Sequence, residues 1–488
     1  MQPTHDESSG EFDVAIIGAG VVGSLIALTL ARHQLTIGLL EKSNDVATGA
    51  SKANSGIVHA GFDAQPGTLK ARLNVRGASL MPQLCATLSV PYRQNGSLVL
   101  AFSPTQMATL EDLRQRGHTN GVDQLTILNH DEALALEPNL SHEVVGALLA
   151  KSAGIVCPYE LTVAAAELAC DNGVQLRRNC AVEAIAREND HFRLTTRRGE
   201  ITAKYVINCA GVYADQVAAM IGDHSIDIHP RLGEYALLDK GIGATVSHTI
   251  FQCPTALGKG VLVSPTVDGN LIVGPTAVET HRRDSTALSQ NALTDVFKAA
   301  RQSVPSLGIR DTITSFGGLR AHDANSGDFV IGPSTCDKHF INVAGIESPG
   351  LASSPAIAEY VDDLFTSLYQ GKLVDKPDYN PTRAKPARFR SMSPEQRAQL
   401  IERDPTYGRV ICRCETITQG EITYSVRAPV GARDLDGVKR RTRAGMGRCQ
   451  SGFCGSKVME ILSHELDMPI NQVTKFGPGS TILFERTK

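Results

Sequence analysis

The sequence predicts an α/β fold with an inserted α+β region and a small module at its C-terminal end. Three observations predict it. Asp13 to Glu41 reads as strand, glycine turn, helix and second strand, with Gly18, Gly20 and Gly23 in G-x-G-x-x-G spacing. Short strands and helices alternate after Ala78. Four of the eleven cysteines fall in two close pairs near the end, beyond a segment rich in Pro, Lys and Arg.

The first stretch predicts a strand from Val14 to Ile17, a helix from Val21 to Arg32 and a strand ending at Glu41. Gly18 permits the tight turn, Gly20 lets backbone approach a pyrophosphate, and Gly23 lets helix pack on strand, while the helix N-terminus offers unpaired N–H groups. Glu41 falls where an acid accepts hydrogen bonds from a ribose. Val14 to Ala31 has no charged residue, as in a signal peptide or membrane helix. The missing basic flank, the preceding Glu11 and Asp13, and the three glycines argue against that reading.

Composition narrows the class. The 488 residues predict two to four folding units. A hydrophobic content of 42%, a charged content of 20% and a net charge of -3 are those of a globular protein with no nucleic-acid surface. An odd number of cysteines without a secretory leader points to a reducing compartment, hence the cytoplasm.

The loop after Glu41, rich in Gly, Ala, Ser and Asn, reads as a segment lying close to a ligand. Helices are expected at Pro104 to Arg116, Asp131 to Glu137, Tyr159 to Asn172 and Asn291 to Ser303, and strands at Gly96 to Phe102, Gln175 to Ile185, Phe192 to Thr196 and Tyr205 to Cys209. His229 to Thr276 reads as a second sheet. Ser354 is expected to cap a helix with Pro355 at its first position, where the missing N–H costs nothing. Lys372 to Arg390 reads as a linker, followed by a helix from Pro394 to Arg403.

The last module carries C-R-C at Cys412 and Cys414 and C-Q-S-G-F-C at Cys449 and Cys454. Four thiolates suit zinc or an iron-sulfur cluster, and C-x-C is tighter than usual zinc spacing. From Pro405 onward 13 Lys and Arg face 8 Asp and Glu, with Lys439, Arg440, Arg441, Arg443 and Arg448 bunched before Cys449. That excess suits either anionic site and does not separate them, and metal-free thiols stay open.

The motifs SKANSGIVHAGFDAQPGTLKA, CAGVYAD, GGLRA and GIESPGLASSPAIA resemble FAD-dependent oxidoreductases of the D-amino-acid oxidase superfamily, in particular the glycerol-3-phosphate oxidase/dehydrogenase and L-2-hydroxyglutarate oxidase branch. VICRCETITQGEI and KRRTRAGMGRCQSGFC resemble the bacterioferritin-associated-ferredoxin-like [2Fe-2S] domain. The resemblance implies a Rossmann-like FAD-binding domain (11–85, 151–225 and 326–370), a substrate domain (86–150 and 226–325), a linker (371–404) and a [2Fe-2S] domain (405–488). A flavin gives an iron-sulfur centre an electron donor, which favours [2Fe-2S] over zinc.

The resemblance further implies that Gly18, Gly20, Gly23, Glu41, Ser51, Val182, Gly211, Gly345 and Gly350 lie against FAD. Ser55 and His59 match active-site positions, Arg320 and Ser348 match positions that hold substrate, and Lys259 is a weaker match. His59 suits the base for a hydroxyl proton and Arg320 a two-pronged anion holder. The expected reaction is oxidation of a small anionic 2-hydroxy substrate, foremost sn-glycerol 3-phosphate to dihydroxyacetone phosphate. Electrons would pass through the cluster to a partner protein or quinone, with oxygen the acceptor of a pure oxidase. The alternatives are L-2-hydroxyglutarate, an amine, or an electron-transfer subunit without turnover. No membrane span is expected, although peripheral association is compatible with the sequence.

Overall fold

The computed structural model describes residues 10–254 and 260–485. Its first sheet is built on β1 (Gly10–Ile17), followed by α1 (Val21–Leu30) and β2 (Ile37–Leu40). The chain then runs through α2 (Leu69–Leu88) and α3 (Pro158–Asp171) to β3 (Gly199–Asn208). The second sheet is organised on β4 (Ile228–Leu238) and β5 (Thr312–Asp323), after which the chain returns to the first sheet with β6 (Phe340–Ala344) and α4 (Gly350–Leu368).

In the first sheet β1 lies parallel to β2 and β3, and β3 is parallel to β6. β1 and β2 are nearly all apolar because helices cover them: Val14, Ile16, Ile37 and Leu39 are buried with Leu25 and Ile26 of α1, Leu161 of α3 and Ile357 of α4 in one core. The carboxyl ends of β1, β3 and β6 therefore sit side by side. In open α/β sheets that edge is where ligands bind.

The second sheet has nine strands and its own core of Leu98, Ile250, Val263, Val273 and Phe297. Ser97–Ala101 pairs in parallel with Thr249–Gln252, so two stretches far apart in sequence share it. β5 crosses against β4 over twelve residues, pairing Arg320 with Arg231 and Gly318 with Gly233.

The helix start expected at Ser354 lies elsewhere. α4 begins at Gly350, and Pro355 sits inside it. A proline leaves the carbonyl four residues back without its usual donor. Here Ser354 Oγ donates to Leu351 O at 2.8 Å, which satisfies that carbonyl and lets the helix begin more than a turn earlier.

The segment read as a linker lies along α3. Lys376 Nζ donates to Asn172 O at 2.6 Å, Arg383 pairs with Glu167 and Arg388 with Glu160. The C-terminal module follows, with a small core of Ile411, Ile422, Val438, Val458 and Leu462, and it includes α5 (Gly455–Glu465). Among the described residues no helix is long and apolar enough to cross a membrane.

Candidate active site and cluster module

Two glycines hold the β1–α1 turn by what they exclude. Gly18 adopts φ +106°, and a Cβ there would stand 2.4 Å from Cys209 O; a Cβ at Gly23 would stand 2.0 Å from Gly18 O. The first clash would push the turn off the end of β3, and the second would push α1 off the turn. A Cβ at Gly20 would meet only Ser51 Oγ, at 3.1 Å. Ser51 Oγ accepts the Val21 N–H at 2.8 Å, across the start of α1. No acid occupies the first turn of α1 or of α4, so both helix N-termini at this edge retain partial positive charge for an anion.

Glu41 is buried at the end of β2, where its carboxylate accepts N–H bonds from Ala19 at 3.0 Å and Ser43 at 2.9 Å. Burial pushes its carboxyl above the usual range, and the two amides oppose the shift. Gly211 follows β3 with nothing within 4 Å of where a Cβ would project, and Gly345 follows β6 with φ +67°. Gly350 opens α4, close to Ile346. Val182 is half-buried at a bulged strand start on the same sheet. Gly18, Gly211 and Gly345 thus come to one edge from three separate strands.

Arg320 reaches the site from the second sheet. Its Nη2 donates to Thr276 O at 2.6 Å, while its Nε is buried and finds no acceptor among the described residues. β5 can approach the loop after Glu41 because position 318 is glycine: a Cβ there would stand 1.9 Å from Ala53 O. That contact brings the strand of Arg320 against the loop carrying Ser51 and Ser55. His322, on the same face of β5, holds Glu347 through Nδ1 at 2.9 Å, which ties β5 to the loop of Ser348. Ser55 is half-buried and Ser348 is exposed.

His59 lies at the seam of the two sheets. Its ring packs on Phe62 at 4.7 Å and on Phe251 of the second sheet at 5.7 Å. Its Nδ1 accepts the Gly61 N–H at 3.3 Å, and Asn74 Nδ2 donates to its carbonyl at 2.6 Å. Lys259 lies outside the described residues.

Tyr235 and Glu347 escaped the sequence reading. Tyr235 is buried within the field of Arg320, stacked on Phe316 at 5.0 Å, and burial pushes its phenol up. Its place in the alternating strand RLGEYALLD gave only a core signal. Glu347 bridges His322 and Lys70; burial raises its carboxyl, but the Lys70 charge outweighs that and holds it low. Its position inside GIESPG was the available clue.

The four module thiols form two pairs. Cys414 and Cys449 have their Sγ atoms 3.7 Å apart, and Cys412 hydrogen-bonds Cys454, which brings the Cys412 thiol down to about 6. No three of the four lie mutually within 4.8 Å. Four sulfurs on one tetrahedral zinc at ~2.3 Å would all be close neighbours, whereas a two-iron centre takes one pair per iron. Cys454 is also the N-cap of α5, whose first turn carries no acid, so the helix N-terminus favours an anionic centre. The donor set fits [2Fe-2S].

Three of the five cations bunched before Cys449 have a different employment from the one expected. Arg440 and Arg441 both bind Asp45, and Arg443 binds Asp268 and Glu415. Arg390 also binds Asp268 and Glu415, and Lys240 binds Glu415 at 2.8 Å. These cations fasten the module to both sheets. Burial raises the Asp45 carboxyl, but the Arg441 and Arg440 charges hold it far below the usual range.

Comparison with known proteins agrees with this architecture. Residues 13–364 match the family described as FAD dependent oxidoreductase, and residues 410–464 match the BFD-like [2Fe-2S] binding domain. The chain belongs to the FAD dependent oxidoreductase family and carries a C-terminal [2Fe-2S]-binding domain. It is 46% identical over 477 residues to a glycerol 3-phosphate dehydrogenase of Caloramator mitchellensis, covering 98% of this chain and 99% of that one. The FAD-bound L-alpha-glycerophosphate oxidase of Mycoplasma pneumoniae superimposes with a TM-score of 0.73 at 32% identity, covering 76% of this chain and 98% of that one. Human mitochondrial L-2-hydroxyglutarate dehydrogenase is 28% identical over 417 residues, covering 74% of this chain and 90% of that one.

Proposed function

We propose that this FAD-dependent enzyme oxidises sn-glycerol 3-phosphate to dihydroxyacetone phosphate in the cytoplasm and delivers the electrons to a protein or quinone acceptor. The observation that carries the reading is the end-to-end likeness to the Caloramator mitchellensis dehydrogenase, module included. Bound FAD supplies the hydride acceptor and [2Fe-2S] the one-electron outlet. The half-satisfied guanidinium of Arg320 takes the substrate's anionic group, with Ser55, Ser348 and Lys259 as further holders. His59 takes the hydroxyl proton at Nε2. A neutral ring does so only with its own proton on Nδ1, which gives up the Gly61 contact and leaves that buried N–H without its acceptor at a cost of about 1–3 kcal/mol. Phe62 and Phe251 keep that ring in a dry setting.

Anaerobic mixing with sn-glycerol 3-phosphate should bleach the flavin rapidly, and L-2-hydroxyglutarate should leave it coloured. The reverse result moves the substrate to the 2-hydroxy acid. His59→Asn should lower turnover about 100-fold with FAD retained. Unchanged turnover would remove the base from His59.

A further inference from the structure

The two thiol pairs differ in exposure. Cys412 and Cys454 are buried in the module core, Cys449 is half-buried, and Cys414 is exposed. One edge of the thiol set is therefore covered by protein and the other opens to solvent. In the loop from Cys449 to Cys454 stands Phe453, 87% exposed, more than any other large hydrophobic side chain among the described residues. It lies between two cluster ligands on a loop, where nothing in the module's packing calls for a phenyl ring.

The neighbouring charges share one sign. Arg413, between Cys412 and Cys414, is exposed and makes no ion pair among the described residues. Arg448, adjacent to Cys449, is 79% exposed and its nearest acid, Asp239, is 3.9 Å away. Lys457, in the first turn of α5, is exposed at the end of a helix where a cation is disfavoured. Glu460, one turn further along α5, is the nearby exposed acid. Arg440, Arg441 and Arg443 are committed to Asp45, Asp268 and Glu415; of the three exposed cations only Arg448 has an acid within reach among the described residues, at 3.9 Å.

We propose that this edge, formed by Arg413, Cys414, Arg448, Phe453 and Lys457, is the docking surface for an acidic one-electron carrier protein. The proposal rests on the dehydrogenase reading above. An exposed aromatic ring within a basic rim is the chemistry of a transient protein interface: the charges steer an acidic partner and the ring supplies the small apolar contact. Each glycerol 3-phosphate oxidised releases two electrons and two protons. Two oxidised carrier molecules take one electron each, and the protons pass to solvent.

The test uses the holoenzyme and oxidised flavodoxin, an acidic one-electron carrier, with binding followed by calorimetry at low and high ionic strength. Wild-type enzyme should bind it, with affinity falling as salt rises. Arg448→Glu and Arg413→Glu should each weaken binding about tenfold, and Phe453→Ser should weaken it by a similar factor at either salt. All three variants should reduce dichlorophenolindophenol with glycerol 3-phosphate at the wild-type rate. Binding that charge reversal leaves unchanged overturns the surface, as does absence of flavodoxin binding when vesicles containing menaquinone are bound. A wild-type enzyme that fails to reduce the dye with glycerol 3-phosphate tells instead against the substrate, and the calorimetry still judges the surface.

Discussion

At the junction between module and sheets, buried charges face one another: Asp45 meets Arg440 and Arg441, Asp268 meets Arg390 and Arg443, and Glu415 meets Arg390, Arg443 and Lys240. Single atoms such as Arg440 Nε go unmatched, but no side chain does. In the substrate region Arg320 has one carbonyl partner and a buried Nε with none among the described residues. Matched charges hold parts of a molecule together, whereas a desolvated charge left half-matched is prepared for a ligand that completes it.

The comparison breaks most strongly at Asp45. Asp45→Asn leaves two buried guanidinium groups without their carboxylate, a loss of about 3–5 kcal/mol. It should lower the urea midpoint and speed proteolytic cleavage between residues 371 and 404; a midpoint unchanged from wild type would show that the junction owes nothing to this pair. Acid should reach the same contact reversibly. The folded Asp45 carboxyl lies below its unfolded value of ~3.9, so its contribution is complete above that value and is lost as pH falls from there toward the folded one. The gap in urea midpoint between wild type and Asp45→Asn should thus be constant from pH 8 to about 5, and below about 4 the wild type should lose stability toward the Asp45→Asn level.

On the substrate side, Arg320→Gln should reduce kcat/KM by about 100-fold, the equivalent of ~2.7 kcal/mol. FAD content and urea midpoint should stay near wild type, because no buried acid loses its partner. A large drop in stability would make Arg320 a structural cation. The smallest effect belongs to Ser354→Ala, which strands the Leu351 carbonyl beside Pro355 at a cost of about 1 kcal/mol. Its thermal midpoint should fall by a few degrees with unchanged kinetics.

The glycine-lined end of β1 was legible because its determinants are local. Gly18, Gly20, Gly23 and Glu41 lie within one βαβ unit, and the backbone conformations and close approaches that need glycine mark themselves in sequence. The start of α4 was misread because Ser-Pro looks the same at a helix entrance as inside a second turn, where the serine hydroxyl replaces the missing donor. Arg440, Arg441 and Arg443 were misassigned for a different reason. Its partners are remote: Asp45 and Arg440 are 395 residues apart, and no local window joins them. Tyr235 reads as a core residue until β4 and β5 pair and place it beside Arg320.

The oxidoreductase family match ends at residue 364, so a chain cut to that extent carries neither Arg440 nor Arg441. In such a chain Asp45 would lose both of its guanidinium partners together with the surface that covers it. The carboxylates at positions 45 and 268 are therefore matched to the module more than to the sheets that carry them, and a graft of the module onto a shorter chain would need an acid at each place to be held in the same way.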